Sequence, residues 1–155
     1  MSQPLPVAAD VDLDRFMGAW FVQAHIPPPL TGGAFNAVET YTRVSEARVD
    51  AHYRYNKGSL DGPEKVMLAK GFVTAGTGNA IWRMQFLWPL KSDYRIGYLD
   101  DDYRETIIAR EKRDYAWIMT RDQHISEEAL AKLKERTEAL GYRLDKLEII
   151  PHSAS

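Results

Sequence analysis

Histidines, serines and carboxylates are the side chains able to move protons or hold metals near neutral pH, so their spacing decides what chemistry this chain can do. The four histidines, His25, His52, His124 and His152, are dispersed without the spacing of a metal-ligand set. His52 falls on the polar side of an alternating segment, and only His25, beside a proline run, lies near enough to a possible opening to ligate a haem or tetrapyrrole. No Gly-x-Ser-x-Gly elbow occurs, and no nucleophile is paired with a base. There is no cysteine, which removes thiolate catalysis, disulfides and cysteine metal sites together. The residues therefore indicate no catalytic set, no metal site and no cofactor. With 20 basic and 22 acidic side chains, a net charge of -2 and no basic stripe interleaved with aromatics, nucleic acid is excluded as a partner.

What the chain does carry is a repeated apolar face. Val49, Ala51, Tyr53 and Tyr55 alternate with Asp50, His52, Arg54 and Asn56. Trp82, Met84, Phe86 and Trp88 alternate with Arg83 and Gln85, and Tyr115, Trp117 and Met119 form a further stripe. Met67, Ala69, Gly71 and Val73 share a face opposite Lys70. Each segment thus has one side of rings, methionines or small residues, as an antiparallel sheet with one face turned inward requires. Large rings, Tyr98 among them, mixed with Ala51, Ala69, Gly71 and Ala109 and the supple Met67, Met84 and Met119 leave a pocket with adaptable walls. The competing reading is a core filled by the same side chains.

A pocket of this kind suits an acyl chain. Burying ~15 methylenes at ~0.8 kcal/mol each releases roughly 12 kcal/mol gross, against an association cost of about 4 to 15 kcal/mol. The hydroxyls of Tyr53, Tyr55, Tyr98 and Tyr115 are placed to orient a carboxylate or phosphate head at the mouth. Arg43, Arg54, Arg83 and Lys91 are candidates for a charged contact there, and read equally well as solvated outer residues.

The elements that must position these faces follow from turn spacing. A chain of 155 residues is one domain with a full core. Residues 1–10 carry two prolines and no periodicity, which predicts a flexible arm. Leu13, Phe16 and Met17 stand at helical spacing up to Gly18, after which Trp20, Phe21, Val22 and Ile26 read as a strand. Pro27 to Gly33 is a loop. Strand-like segments then run over 37–44, 49–56, 66–73, 81–88, 94–99, 106–110 and 115–121, and about eight strands close a small barrel. Which face of 37–44 turns inward is ambiguous. Ser126 caps an amphipathic helix carrying Ala129, Leu130, Leu133, Thr137 and Leu140, ended by Gly141. Leu147, Ile149 and Ile150 form a short tail strand, leaving 11–150 as the single domain and 151–155 as a tail.

Gly18-Ala19-Trp20 on the first strand, Asp102-Tyr103 between the sixth and seventh, and Arg121 ending the eighth resemble the three short signatures of the lipocalin family. Within it, the runs 11–24, 86–90, 98–103 and 114–121 are similar to the bacterial lipocalin (Blc) and apolipoprotein D-like branch. The resemblance implies an all-β, eight-stranded antiparallel up-and-down barrel with a short N-terminal helical turn, one C-terminal α-helix outside and a tail strand. It implies that the protein binds, stores or transports a small hydrophobic ligand such as a fatty acid or lysophospholipid, with Ala51, Tyr53, Tyr55, Met67, Ala69, Trp82, Met84, Phe86, Trp88, Tyr98, Tyr115 and Trp117 lining the lumen. A haem or tetrapyrrole carrier and an enzyme on a lipophilic substrate are the alternatives. Gly18, Trp20, Asp102, Tyr103 and Arg121 are then structural. Arg121 stacks on Trp20 across the closing seam to plug one end, and Asp102 caps the turn into the next strand. The family further implies peripheral membrane contact at the mouth, a monomer or weak homodimer, and a periplasmic or outer-membrane address. The N-terminus shows neither a secretory signal nor a cysteine to acylate, so the compartment stays open.

Overall fold

Asp12 begins the ordered framework: its carboxylate accepts from the N–H groups of Asp14 and Arg15 and caps the one-turn helix α1 (Leu13–Phe16). Gly18, at φ +95°, then swings the chain into β1 (Gly18–Ile26). The structure, a computed structural model, describes residues 3–29, 32–87 and 89–154. Its other barrel strands are β2 (Ala34–Ser45), β3 (Arg48–Lys57), β4 (Glu64–Val73), β5 (Ile81–Leu87), β6 (Leu90–Leu99), β7 (Glu105–Ala109) and β8 (Ala116–Thr120). All neighbours are antiparallel, and pairing of β1 with both β8 and β2 closes the ring. Closure gives every barrel strand a neighbour on both sides over part of its length. β2 pairs with β1 only from Gly18 to Phe21, and the short β9 (Glu148–Ile149) takes the vacated edge at Ala24 and His25.

The barrel carries two apolar layers. The inner one fills the lumen floor; the outer one lies under α2 (Glu127–Ala139), whose Leu133, with Leu140 just beyond, covers Ala24, Ile107, Ala109 and Ile118. Ser126 caps this helix by accepting from Ala129 N–H at 3.0 Å.

Two bulges switch residues between the layers. Between Val22 and Ala24 the register shifts, so Trp20 and Val22 point inward while Ala24 and Ile26 meet the helix layer. Between Ile96 and Tyr98 a second shift turns Tyr98 outward, where the Arg136 guanidinium of α2 lies 4.4 Å from its ring centroid. A Cβ on Gly97 would stand 3.0 Å from Leu140 Cδ1 and 3.2 Å from Ala109 Cβ, so the bulge residue is small where the residue capping α2 packs on the sheet. Tyr98 and Ala109, expected in the lumen from alternation, therefore belong to the outer layer.

One end of the barrel is solid. Phe16 packs on Trp20 at 5.2 Å, Tyr41 on Trp82 at 5.5 Å and Trp82 on Tyr94 at 5.6 Å between ring centroids. The indole N–H groups are satisfied, Trp20 donating to Phe16 O at 2.9 Å and Trp82 to Asn79 O at 2.8 Å. The Tyr41 and Tyr94 hydroxyls bond each other. Beneath this layer Arg121 lies 3.8 Å from the Trp20 ring centroid and donates to Ala19 O at 2.9 Å, Arg15 O at 2.8 Å and Tyr103 O at 3.3 Å. Tyr103 accepts from Asp12 N–H at 2.8 Å and holds the Arg15 guanidinium over its ring, tying the β6–β7 turn to α1.

The turn itself is held by Asp100, not by Asp102. Asp100 precedes the tip and accepts from Arg104 N–H and Glu105 N–H, each at 2.7 Å, whereas Asp102 sits exposed at the tip and accepts from neither. The expected flexible arm is likewise corrected over residues 3–10: Leu5 is buried, its N–H donates to Glu111, and Ala8 N–H donates to Ile96 O at 2.9 Å. The apolar Leu5 and Val11 find partners that periodicity within so short a segment does not reveal. The tail is tied as well, with Ser153 N–H on Asn36 Oδ1 at 2.7 Å.

Candidate functional site

Beyond the Tyr41, Trp82 and Tyr94 layer the barrel is hollow, with a cavity of about 340 Å³, within the range of roughly 300 to 1,000 Å³ typical of small-molecule sites. Its walls are Ala51 and Tyr53 of β3, Met67 and Ala69 of β4, Met84 of β5, and Trp117 and Met119 of β8. Phe86 and Tyr115 stand at its rim with Pro28 and Pro29 of the β1–β2 loop. Two local causes leave the space open. The inward positions at Ala51 and Ala69 are small where the sealed end has rings. In addition, among the described residues β4 pairs with β5 only from Lys70 to Val73, so its first part is held by β3 alone and the wall parts there.

Of the residues expected to line the lumen, Ala51, Tyr53, Met67, Ala69, Met84, Phe86, Tyr115 and Trp117 face the cavity. Tyr55 packs its ring on Tyr53 at 5.3 Å without reaching the cavity surface. Trp82 belongs to the solid floor, because its ring is clamped by Phe16, Tyr41 and Tyr94, and Tyr98 is outside under α2. Trp88 lies outside the described residues. The proposed cationic contacts also fall elsewhere: Arg43 pairs with Asp14 at 2.9 Å beside α1, Arg54 with Glu64 at 3.3 Å, Arg83 is exposed, and Lys91 stands 4.1 Å from the Phe72 ring centroid. Arg54, Arg83 and Lys91 sit on the outward side of their strands, where water solvates charge, whereas Arg43 pairs across the sheet with buried Val49 and is taken by Asp14 of α1 at the sealed end.

The cation on the cavity wall is Arg110, which the sequence did not single out. It is already committed, with Nε on Asp114 at 2.9 Å and its guanidinium 5.2 Å from the Tyr115 ring centroid. His25 is also on the wall, brought there by the bulge in β1, but Nε2 meets Glu148 at 3.2 Å. Burial lowers the His25 pKa, while Glu148 acts in the opposite sense. The ring nitrogen that a haem iron would need is thus occupied.

The feature missed in the sequence is Glu39. On β2 it stands between Ala37 and Tyr41, both buried in the inner core, and it pairs across the sheet with Trp20 on one side and Tyr53 on the other. The surface it exposes faces the cavity. Among the described residues its carboxyl makes no ion pair and no hydrogen bond, and burial raises its pKa from 4.5 to about 8. Next to it the Tyr53 hydroxyl is buried and unpartnered, with burial raising its pKa above the phenol range. The alternation Ala37, Glu39, Tyr41 could have located this carboxyl, but the opposite face of β2 offers Val38, Thr40 and Thr42, no more polar than the first.

A second depression of about 430 Å³ runs over the outside of β2 to β5 past Thr40, His52 and Lys70. It is open to solvent and mixes Leu68 and Phe86 with polar side chains, so it encloses little of a ligand's apolar surface. Among the described residues no group of three or more histidines and carboxylates is arranged to hold a metal.

Fold and site together define a class: an antiparallel barrel, sealed at one end, around an apolar hollow. The lipocalin-like domain family model matches residues 11–152, and the chain belongs to that family, whose members bind small hydrophobic molecules. It is 25% identical over 155 residues to the outer membrane lipoprotein Blc of Citrobacter freundii, covering 94% of this chain and 85% of that protein. It is 25% identical over 163 residues to temperature-induced lipocalin-1 of Arabidopsis thaliana, covering 96% and 83%. Among solved structures, insecticyanin from the tobacco hornworm Manduca sexta superposes with a TM-score of 0.75 at 15% identity, covering 99% of this chain and 86% of that one. Lobster apocrustacyanin A1 superposes with a TM-score of 0.69 at 9% identity, covering 97% and 92%. These two share the fold.

Proposed function

We propose that the protein holds and transports a single-chain acyl lipid, a fatty acid or a lysophospholipid, with the chain in the barrel and no catalysis. The observation that carries this is the hollow of about 340 Å³ walled by Ala51, Met67, Ala69, Met84, Trp117 and Met119. Such walls reward an apolar chain through area removed from water, and two alanines and three methionines adapt to its shape. Tyr115 and Arg110 are the polar groups at the open end suited to the head. The β5–β6 hairpin next to the rim exposes Leu87 and Leu90, at 70% and 69%. Side chains of that kind suit a monomer or weak homodimer that touches a membrane surface to load.

The test is titration of the purified protein with lysophospholipid and with fatty acid below their micellar concentrations, read by intrinsic tryptophan fluorescence and thermal melting. Trp117 on the wall should give a saturable change with a rise in Tm. Emission and melting that stay flat for both lipids would overturn the reading.

A further inference from the structure

The polar group at the bottom of this apolar cavity has no partner of its own. The carboxyl of Glu39 is one inward step from Tyr41 of the floor, flanked across the strands by Trp20 and Tyr53. The Tyr53 side chain is 9% exposed, and its hydroxyl, buried on the cavity wall, has no hydrogen-bond partner. The Tyr94 ring, also on the wall, lies 6.1 Å from that of Trp117 and feels the Glu39 charge, as Tyr53 does. An acid, an orphan hydroxyl and ring faces thus converge on one volume.

We infer that the floor of the cavity is an ammonium subsite, in which Glu39 and the Tyr53 hydroxyl receive the protonated amine of a single-chain alkylamine inserted head first, boxed by the Tyr53, Tyr94 and Trp117 rings. The inference rests on the cavity binding an apolar chain and adds the chemistry of its deep end. An alkylammonium has three N–H donors and a positive charge; Glu39 supplies the countercharge, Tyr53 an acceptor, and the rings their negative faces. With Glu39 ionised, a carboxylate head in the same place would be repelled by a like charge. The subsite is not satisfied from within the protein. Arg110 is held by Asp114, His25 by Glu148, and Arg121 lies beneath Trp20 on backbone carbonyls.

Charge selection should change with pH. Empty, the carboxyl is protonated up to about pH 8, and the incoming ammonium must displace that proton. Of the other titratable groups facing it, burial raises the pKa of Tyr41, Tyr53 and Tyr94 and lowers that of His25, so each is shifted toward its neutral form. Tyr115 lines the rim, Arg110 is paired with Asp114 at 2.9 Å, and Asp93 is spent on Arg95 at 2.9 Å. Amine affinity should therefore rise from about pH 6 to about pH 9, below the amine's own pKa near 10, while carboxylate affinity falls.

The experiment is displacement of the neutral fluorophore N-phenyl-1-naphthylamine by decylamine, decanol and decanoate, on the wild type, Glu39→Gln and Tyr53→Phe, at both pH values. The wild type at about pH 9 should bind decylamine about tenfold or more tightly than decanol, a difference of about 1.4 kcal/mol. Glu39→Gln should collapse that ratio to about one, and Tyr53→Phe, which keeps the ring, should reduce it two- to threefold. Equal affinity of amine and alcohol in the wild type, an unchanged ratio in Glu39→Gln, or amine affinity that falls with pH overturns the subsite while leaving the carrier reading intact. If neither the fluorophore nor any of the three alkyl compounds binds, both are overturned. Should Glu39→Gln not fold, the wild-type pH profile and Tyr53→Phe decide alone.

Discussion

The two ends of this barrel are built by the same strands and differ in what their inward positions hold. At the sealed end Phe16, Trp20, Tyr41 and Trp82 interlock at ring separations of 5.2 to 5.9 Å, and Arg121 fastens the seam with three backbone carbonyls. A few residues further along, β3 and β4 place Ala51 and Ala69 inward, β4 parts from β5, and the lumen is empty of side chains over about 340 Å³. Close packing supplies stability, because each ring keeps its dispersion contacts and each indole N–H its acceptor. A hollow forgoes that gain, and it persists because the closed strand ring and the solid floor hold the walls apart. Stability and binding are thus separated along the barrel axis, and substitutions should sort by end.

The largest effect should come from the sealed end. Trp20→Ala removes a fully buried ring, its N–H bond and the surface on which Arg121 stacks, and should cost about 3 to 5 kcal/mol of unfolding free energy in urea titration. A loss under about 1 kcal/mol would mean that the seam is not what holds the barrel shut.

At the hollow end the order of effects should reverse. Ala51→Phe grows a ring into the cavity and should weaken displacement of the neutral fluorophore by about tenfold or more, with a smaller change in stability, of about 1 kcal/mol, than the floor variant. Unaltered binding would show that the ligand sits elsewhere.

The boundary between the ends is read by pH. Because folding lifts the Glu39 pKa from 4.5 to about 8, the folded chain keeps a proton that the unfolded chain releases across that window. Stability contributed by this proton is fully present below the lower value and lost as pH rises through the upper one. Glu39→Gln should therefore raise Tm at about pH 9 and leave it nearly unchanged near pH 4, as followed by circular dichroism. The smallest effect separates two neighbours on the β6–β7 turn. Asp100→Ala loses two hydrogen bonds to backbone N–H groups and should cost about 1 to 2 kcal/mol, while Asp102→Ala should stay within about 0.5 kcal/mol.

Much of this was legible in the chain. The alternation of Val49, Ala51, Tyr53 and Tyr55 against charged neighbours defines an inward face without reference to any other strand, and the Ser126 cap with Leu133 and Leu140 defines a one-sided helix. The departures have particular causes. Tyr98 left the lumen because a bulge at Gly97 inverts alternation, and a glycine inside a strand signals that possibility without saying which side wins. Trp82 and Met84 share a face by pattern, yet one is floor and the other wall, because their height along the barrel depends on the register with β4 and β6. Glu39 escaped notice because both faces of β2 mix polar and apolar residues, so only its pairing with Trp20 and Tyr53 identifies the inner one.

The sequence by itself determined the element order and the two-sided character of the strands after β2, which follow from local periodicity, while the tryptophan and arginine that meet at the seam followed from the resemblance to the lipocalins. Tertiary structure alone decided where rings stop and the hollow begins, which residues the bulges send to the outer layer, and that a glutamate faces the apolar lumen unpaired. Those outcomes depend on register between strands distant in the chain, and a period of two says which residues share a face but not what stands opposite them.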